Sequence, residues 1–284
     1  MEDNQAMTAE VTTYRYLRSA LLALLLALIV SVAIETVRGG WQTSLSAYYY
    51  TPAGPVFIAV LASVGVCLVA LHGYTDAENV CLKLAGVSAP MVAFVPTPER
   101  AHAPDVDAIT NNAATFLTVL GVGYLVVLGF VWRRLRRHER VSVWSAIGLA
   151  SVAFAWLVGV VWLATDRTSF AGHAHALAAT FTFVPFAGVV ALNTDWGVRV
   201  IARQPGNSRT RFDRAYWVVL IGMIAGAVVM IAMQSVWSYW LLVLEIVLLL
   251  LFAAFWVLQT IDLMDPRRDA AVSVPDRSAR DDRP

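Results

Sequence analysis

Long apolar stretches separated by short polar segments make up most of this 284-residue chain. Each stretch holds about 20 mostly apolar residues, the length at which a helix crosses the hydrocarbon layer of a membrane. None shows the two-residue alternation of a barrel strand. The pattern therefore predicts an all-α polytopic membrane helix bundle. Its eight predicted transmembrane helices cover residues 17–37, 55–74, 78–97, 114–132, 142–164, 170–192, 214–236 and 238–260.

Both ends of the chain are polar. Residues 1–13 form a polar N-terminal segment, and 265–284 offer almost nothing to bury, so we predict a disordered cytoplasmic tail there. The eight-helix membrane domain then covers 14–264. One alternative stays open, because the small residues at 31–33 end the first apolar run as in a cleavable signal peptide. Cleavage would leave seven spans without changing the orientation of any later one.

Composition and charge support a membrane protein and orient it. Hydrophobic residues make up 58% and charged residues 14% of the chain, against about 45–50% and about 25% in soluble domains. Of the 20 Arg, 17 lie before the first span, at 133–140, at 199–214 and after 266. Cytoplasmic loops carry such an excess, so both termini are predicted to be cytoplasmic. A basic inner face can attract anionic lipid heads and does not indicate nucleic-acid binding.

Tryptophans are placed at the predicted ends of the spans, where an indole ring meets both lipid and water. Those at predicted inner ends are Trp132, Trp144, Trp196 and Trp217, and those at outer ends are Trp41, Trp162, Trp237 and Trp240. The third span is the least apolar, since it carries Lys83 and two prolines. Removing it would put the Arg cluster at 133–140 outside, so the charge pattern favours keeping it.

The predicted outer loop after the first span has an unusual composition. It reads GGWQTSLSAYYYTPAG from Gly39 to Gly54. One interpretation is an aromatic anchor at the membrane interface. The other is a lid or short re-entrant segment whose hydroxyl groups face a pocket between helices, with Ser46, Tyr48, Tyr49 and Tyr50 as the candidate residues.

A few ionisable or amide side chains lie where lipid is expected. A charge in the middle of a membrane helix costs about 2.5–3.5 kcal/mol on insertion scales, so such residues usually face a cavity or a partner. The candidates are Glu35, His173, Gln234 and Glu245, all in the outer third of their predicted spans. Together with the loop hydroxyls they predict an outward-facing polar pocket, in which His173 pairs with Glu245 or Glu35.

A metal site is a weaker alternative. Its ligands would be His173, Asp166 and His102, since imidazole and carboxylate groups bind zinc. His173 and His175 are two residues apart, which on a helix points them to opposite faces. They therefore cannot share a metal on one helix, and we predict no cofactor.

The chain also resembles a known family. The stretch SLSAYYYTPAGPVFIAVLASVGVCLVALHGY, followed by ENVCLKLAGVSAPMVAFVPT, is similar to a family of uncharacterised bacterial multi-pass membrane proteins. In that family a Ser-x-Ser-x-Tyr-Tyr loop precedes a span ending near a Gly-Tyr pair, and a second span ends in Pro-Thr. The matching residues are Ser44, Ser46, Tyr48, Tyr49, Pro52, Gly73, Tyr74, Gly86, Pro96 and Thr97. The stretch from Phe170 to His173 fits more loosely.

More distantly, this family resembles the DRAM and Sfk group of eukaryotic membrane proteins, some of which are linked to lipid distribution. The resemblance implies a multi-pass fold in a bacterial plasma membrane. It carries over no catalytic residue.

Three functional hypotheses follow. The first is a protein that binds or moves a lipid or amphipathic ligand in the outer polar pocket, with membrane lipids as its partners. The second is a membrane hydrolase or transferase that uses His173, Asp166 and Glu245 in close proximity. The third is a scaffold that assembles with another membrane protein or with itself through Gly222 and Gly226, a small-xxx-small pair on the seventh span.

Overall fold

A computed structural model describes residues 2–98, 105–200 and 212–263 of the chain. Within these ranges all regular structure is helical, as the apolar pattern predicts. The predicted tail at 265–284 lies outside the described residues. The helices are α1 Glu2–Gly39, α2 Gly54–Ala70, α3 Asp76–Phe94, α4 Val106–Arg136, α5 Val143–Thr165, α6 Arg167–Leu192, α7 Asp195–Val200, α8 Asp213–Ala232 and α9 Trp240–Leu263, with a 3₁₀ helix at Ser46–Tyr50.

Six helices are long and apolar enough to cross a membrane: α1, α4, α5, α6, α8 and α9. Each of them coincides with one of the predicted spans. Helix α2 is apolar but has only 17 residues. Helix α3 has 19 residues and carries Asp76, Glu78 and Lys83 near its start. The chain therefore has the helices of a membrane-embedded protein, and the two remaining predicted spans correspond to a short helix and a more polar one.

Helix α1 extends further toward the N-terminus than the predicted first span. Its backbone is helical from Glu2, so it includes the polar segment that the sequence separates from the membrane domain. Alanine, methionine and glutamate in that segment have high helix propensities. Leu21, Leu25 and Leu28 lie on one side of α1 and are almost fully buried.

Helix α3 lies at the centre of the bundle, where it packs against α2, α5 and α6. The side-chain oxygen of Thr75 caps it by accepting the Glu78 N–H at 3.1 Å. The closest approach is to α2 at Gly65 and Gly86. A Cβ atom added to Gly65 would lie 2.6 Å from the Gly86 carbonyl oxygen, and one added to Gly86 would lie 2.8 Å from the Gly65 carbonyl oxygen. The two backbones are thus in direct contact.

Large apolar side chains cover the outside of the bundle. Only 6% of the most apolar stretch of α4 is buried, and Val122, Leu125 and Phe130 are more than half exposed. A soluble monomer rarely exposes a continuous apolar surface of this kind, so the surface matches lipid. Exposed tryptophans lie near both ends of the helices, namely Trp41 and Trp237 at one end and Trp132, Trp144 and Trp196 at the other.

The glycines of α8 are used within the chain. A Cβ atom on Gly222 would lie 3.2 Å from the Leu251 side chain, and one on Gly226 would lie 3.3 Å from Val247. Both contacts are to α9. The small-xxx-small face therefore packs α8 against α9 within the chain. The scaffold hypothesis needs this face to contact another protein.

Candidate functional site: a buried carboxylate–histidine pair beside an apolar cavity

Glu245 lies near the start of α9, and its side chain is turned into the bundle, where it is 15% exposed. Its Oε2 accepts the backbone N–H of Leu45 at 2.6 Å. The same loop accepts the Leu242 N–H at the Thr43 carbonyl, 3.2 Å away. Two hydrogen bonds, one of them to the Glu245 carboxyl group, therefore join the loop after α1 to the first turns of α9. We call this end of the bundle the Glu245 end.

His175 of α6 faces Glu245. Its Nε2 lies 3.8 Å from Glu245 Oε1, and the side chain is 8% exposed. Its Nδ1 lies 2.7 Å from the carbonyl oxygen of Val95, at the end of α3. A carbonyl only accepts, so Nδ1 carries a hydrogen. The other nitrogen, Nε2, faces the Glu245 carboxyl group.

Hydroxyl groups of the loop lie next to this pair. Ser44 Oγ and Ser46 Oγ are 3.2 Å apart, and Ser44 Oγ accepts the Ala47 N–H at 3.0 Å. The Ser46 hydroxyl donates to Thr97, just after α3. Both serines are about 1% exposed. The loop thus folds inward as a buried polar layer, although of its residues only Leu45 lines the cavity described below.

The three tyrosines of the loop have different environments. Tyr48 is fully buried and hydrogen-bonds to Thr36 of α1. Tyr49 and Tyr50 are half-buried, with ring centroids 5.3 Å apart in an edge-on arrangement. Burial, and secondarily the charge of Asp105, raises the pKa of Tyr49, so its hydroxyl stays protonated at neutral pH. Tyr48 therefore fixes the loop to α1, while Tyr49 and Tyr50 lie nearer its surface.

An apolar cavity of about 80 Å³ extends from Glu245 between α1, α2, α3, α6 and α9. This is several times the roughly 10–15 Å³ that a single water requires. Apart from Glu245 and Thr182 its lining is apolar, and includes Leu25, Phe57, Val64, Val92, Phe186 and Phe252. Cavities lined in this way stay dry and accept apolar molecules. Glu245, the partner of His175, is thus the one ionisable residue among the described residues that line this apolar space.

Three of the predicted pocket residues lie elsewhere. His173 is exposed, and its Nδ1 faces the Ser169 carbonyl one turn earlier in α6, 3.0 Å away. Glu35 is half-exposed near the end of α1, and among the described residues it forms no hydrogen bond with the pair. Gln234 is exposed in the turn after α8. The expected partner of Glu245 is therefore corrected from His173 to His175, because the face of α6 that carries His175 is the buried one.

The predicted metal ligands do not converge. Asp166 is exposed and caps α6 by accepting the Ser169 N–H at 2.8 Å. His102 lies outside the described residues. In the part of the chain that the structure describes, no group of three or more His, Cys, Asp or Glu side chains is arranged to hold a metal ion. A hydrolase that joins His173, Asp166 and Glu245 has no support from this geometry.

A second buried polar cluster, which sequence analysis missed, lies at the opposite end of the bundle. Glu78, at the start of α3, is 4% exposed. Its Oε2 accepts the Tyr74 N–H at 2.8 Å, and its Oε1 accepts from Asn193 at 2.9 Å. Asn193 in turn accepts from Gln259 of α9 at 3.0 Å. We call this end the Glu78 end; Arg18 of α1, which is 5% exposed, also lies there.

Lys83, the only lysine, lies one turn further into α3. Its Nζ is 3.4 Å from the carbonyl oxygen of Leu71, at the end of α2. Among the described residues it forms no ion pair with Glu78. Its position matches a lysine that extends toward the nearest interface.

Exchange of the two histidines tests the corrected pairing. His175→Ala removes the donor to Val95 and leaves Glu245 buried beside an empty space, so we expect a loss of about 1.5–3 kcal/mol in the free energy of unfolding. His173→Ala removes only a bond within its own helix, and we expect a change below about 0.5 kcal/mol. Thermal unfolding of the two purified variants measures the difference. Equal destabilisation would contradict the assignment.

Comparisons with protein-family models, with curated proteins and with solved structures return no match to this chain. The functional proposal therefore rests on the geometry of the site.

Proposed function

We propose that the protein binds an amphipathic molecule of the membrane, with its apolar chain in the cavity and its polar end at Glu245 and His175. The observation that carries this proposal is the joining of two features: an apolar space between five helices is lined by the partly buried Glu245, which lies 3.8 Å from His175. Small-molecule sites commonly combine a mostly apolar lining with a few placed polar groups. Membrane lipids have both an apolar chain and a polar end, and they surround a protein embedded in a membrane.

The polar groups suit a head that both donates and accepts hydrogen bonds. Glu245 supplies carboxyl oxygens, and His175 supplies the ring nitrogen that does not face the Val95 carbonyl. Ser44 and Ser46 supply hydroxyl groups that can do both. The buried loop around them then excludes water from the bound head, which strengthens each of these hydrogen bonds.

We further propose that all eight predicted spans cross the membrane, with the Glu245 end outside and both termini inside a bacterial plasma membrane. The exposed Arg residues between 133 and 140 lie in the last turn of α4 and just after it, at the Glu78 end, as the positive-inside rule expects. Helix α3 is surrounded by α2, α5 and α6, so its charged residues need not contact lipid. The 17 residues of α2 span about 26 Å at 1.5 Å per residue, close to the hydrocarbon thickness of about 30 Å.

A cavity-filling variant tests the binding proposal. Val64 of α2 lines the cavity, whereas Val66 on the same helix is 68% exposed and faces outward. Val64→Phe should fill the space and lower ligand occupancy about ten-fold, while Val66→Phe should leave it unchanged. The probe is a long-chain alcohol bearing a photoreactive diazirine, and the measurement is the amount and position of label in peptides of α2, α3 and α9 by mass spectrometry.

Comparison of the Val64→Phe and Val66→Phe variants also shows which result would contradict the binding proposal. Labelling that is equal in wild type and both variants, or that is confined to the outer faces of α4 and α5, would mean that the probe reads only the lipid-facing surface. Both variants should elute as monodisperse protein, which separates loss of binding from loss of folding.

A further inference from the structure

Arg18 at the Glu78 end has hydrogen-bond donors that nothing in the described part of the chain accepts. Its Nε and Nη1 are fully buried and unpartnered there, and so is the indole N–H of Trp256. The guanidinium carbon lies 5.8 Å from the centre of the Trp256 ring. Buried donors are almost always paired in native structures, so several unpaired ones in one place indicate an acceptor from outside the described part of the chain.

The oxygens of Glu78 and Asn193 take part in other hydrogen bonds. Both carboxylate oxygens of Glu78 accept hydrogen bonds, from the Tyr74 backbone and from Asn193. The side-chain oxygen of Asn193 accepts from Gln259. Among the described residues no ion pair joins Arg18 to Glu78. The negative charge of Glu78 therefore lies near Arg18, but its oxygens do not satisfy the free N–H groups of the guanidinium.

The surroundings of Arg18 point to an anionic acceptor at the membrane surface. Arg15 is exposed three residues earlier, on the same side of α1, and adds a second positive charge near the surface. Tyr74 hydrogen-bonds to Arg18 through its side chain and is 55% exposed, so it connects the buried guanidinium to the surface. A guanidinium fork with an adjacent cation fits the oxygens of a phosphate group.

We propose that Arg18, with Trp256 and Arg15, forms a phosphate-binding site at the Glu78 end that holds the headgroup of an anionic lipid. The site lies across the bundle from the Glu245–His175 pair and is independent of the function proposed for that pair. Bound there, a phosphate oxygen accepts from Nε and Nη1 of Arg18, and Tyr74 moves aside to admit it.

Lipid retention tests the proposal. Full-length protein in nanodiscs of equal parts phosphatidylglycerol and phosphatidylcholine is transferred to detergent, and the lipids that stay bound are counted by native mass spectrometry. Wild type should retain phosphatidylglycerol over phosphatidylcholine. Arg18→Gln should retain about ten-fold less of it, because charge-assisted hydrogen bonds are lost. Arg18→Lys keeps the positive charge but not the forked guanidinium, so its retention of phosphatidylglycerol should lie between those of wild type and Arg18→Gln. It replaces Arg18→Gln in the test if that variant fails to fold.

Arg133→Gln is the matched control, since Arg133 is an exposed arginine at the same end of the bundle and should not affect retention. A second arm uses nanodiscs of phosphatidylcholine alone with added inorganic phosphate. A rise in melting temperature that disappears in Arg18→Lys would support the phosphate site and identify free phosphate as the occupant. Equal retention of both lipids by wild type with no phosphate effect, or retention of phosphatidylglycerol that Arg18→Lys and Arg133→Gln change equally, would overturn the proposal.

Discussion

Gly86→Leu is expected to abolish the folded protein, because it separates the two helices at the centre of the bundle. A Cβ atom on Gly86 would lie 2.8 Å from the carbonyl oxygen of Gly65 and 2.9 Å from the backbone nitrogen of Val69, both on the facing helix α2. These neighbours are backbone atoms and cannot rotate away. Overpacking of a core by single methylene groups already costs about 1–3 kcal/mol, and a leucine adds three further carbon atoms beyond Cβ.

The measurement is the yield of monodisperse protein by fluorescence-detected size-exclusion chromatography, followed by a thermal melt of what elutes. Gly123→Leu is the matched control: it lies in α4, and a Cβ atom there would meet nothing within 4 Å. The same substitution should be tolerated on this outward face. A Gly86→Leu variant that melts within a few degrees of wild type would show that α2 and α3 are not in backbone contact.

Glu78→Ala is expected to lower the free energy of unfolding by roughly 3–5 kcal/mol, the range for removing one partner from a buried charged network. It leaves the Tyr74 N–H without its acceptor, reduces the acceptors of the Asn193 amide to the Val189 carbonyl, and removes the negative charge near Arg18. The loop between α2 and α3 then keeps only the Gly73 N–H to Asn79 bond of the two that join it to the first turns of α3. The loss in the free energy of unfolding should therefore exceed the loss caused by truncating a buried apolar side chain of similar volume to alanine.

Glu139→Ala provides the control for removal of an acidic side chain. Glu139 pairs with Arg134 at 3.0 Å, but their side chains are 46% and 71% exposed, and exposed pairs of this kind contribute about 0–1 kcal/mol. Thermal unfolding of both variants in the same nanodisc lipid gives the comparison. Equal melting temperatures would mean that the Glu78 network is replaced by water without loss.

The membrane-length helices were predictable, since long apolar runs are strong signals, and Glu245 was recognisable as a charge within one of them. The partner of Glu245 was not, because two histidines on opposite faces of one helix are equivalent until the buried face is known. That face is marked in the sequence by Ala171, Ala174 and Ala178, whose spacing includes His175.

Arg18 shows the same difficulty at the other end of the bundle. In sequence Arg18 resembles a residue that flanks the first span, and the arginine pattern uses its charge only to orient that span in the membrane. Its spacing from Leu21, Leu25 and Leu28 places it on the buried side of α1. The Glu78 network could not be predicted in the same way, since its members come from helices that are far apart in the chain and meet only after packing.

Pro90 lies inside α3, one turn after Gly86, and has no N–H to donate to the Gly86 carbonyl. That carbonyl oxygen instead faces Gly65 on α2, and the Pro90 ring lies beside the same glycine, with its Cδ 2.8 Å from where a Cβ of Gly65 would be. Proline therefore releases an oxygen at a place where a neighbouring backbone comes close enough to cover it. Gly65, Gly86 and Pro90 thus depend on one another sterically, and a larger residue at either glycine should require a compensating change in the other two.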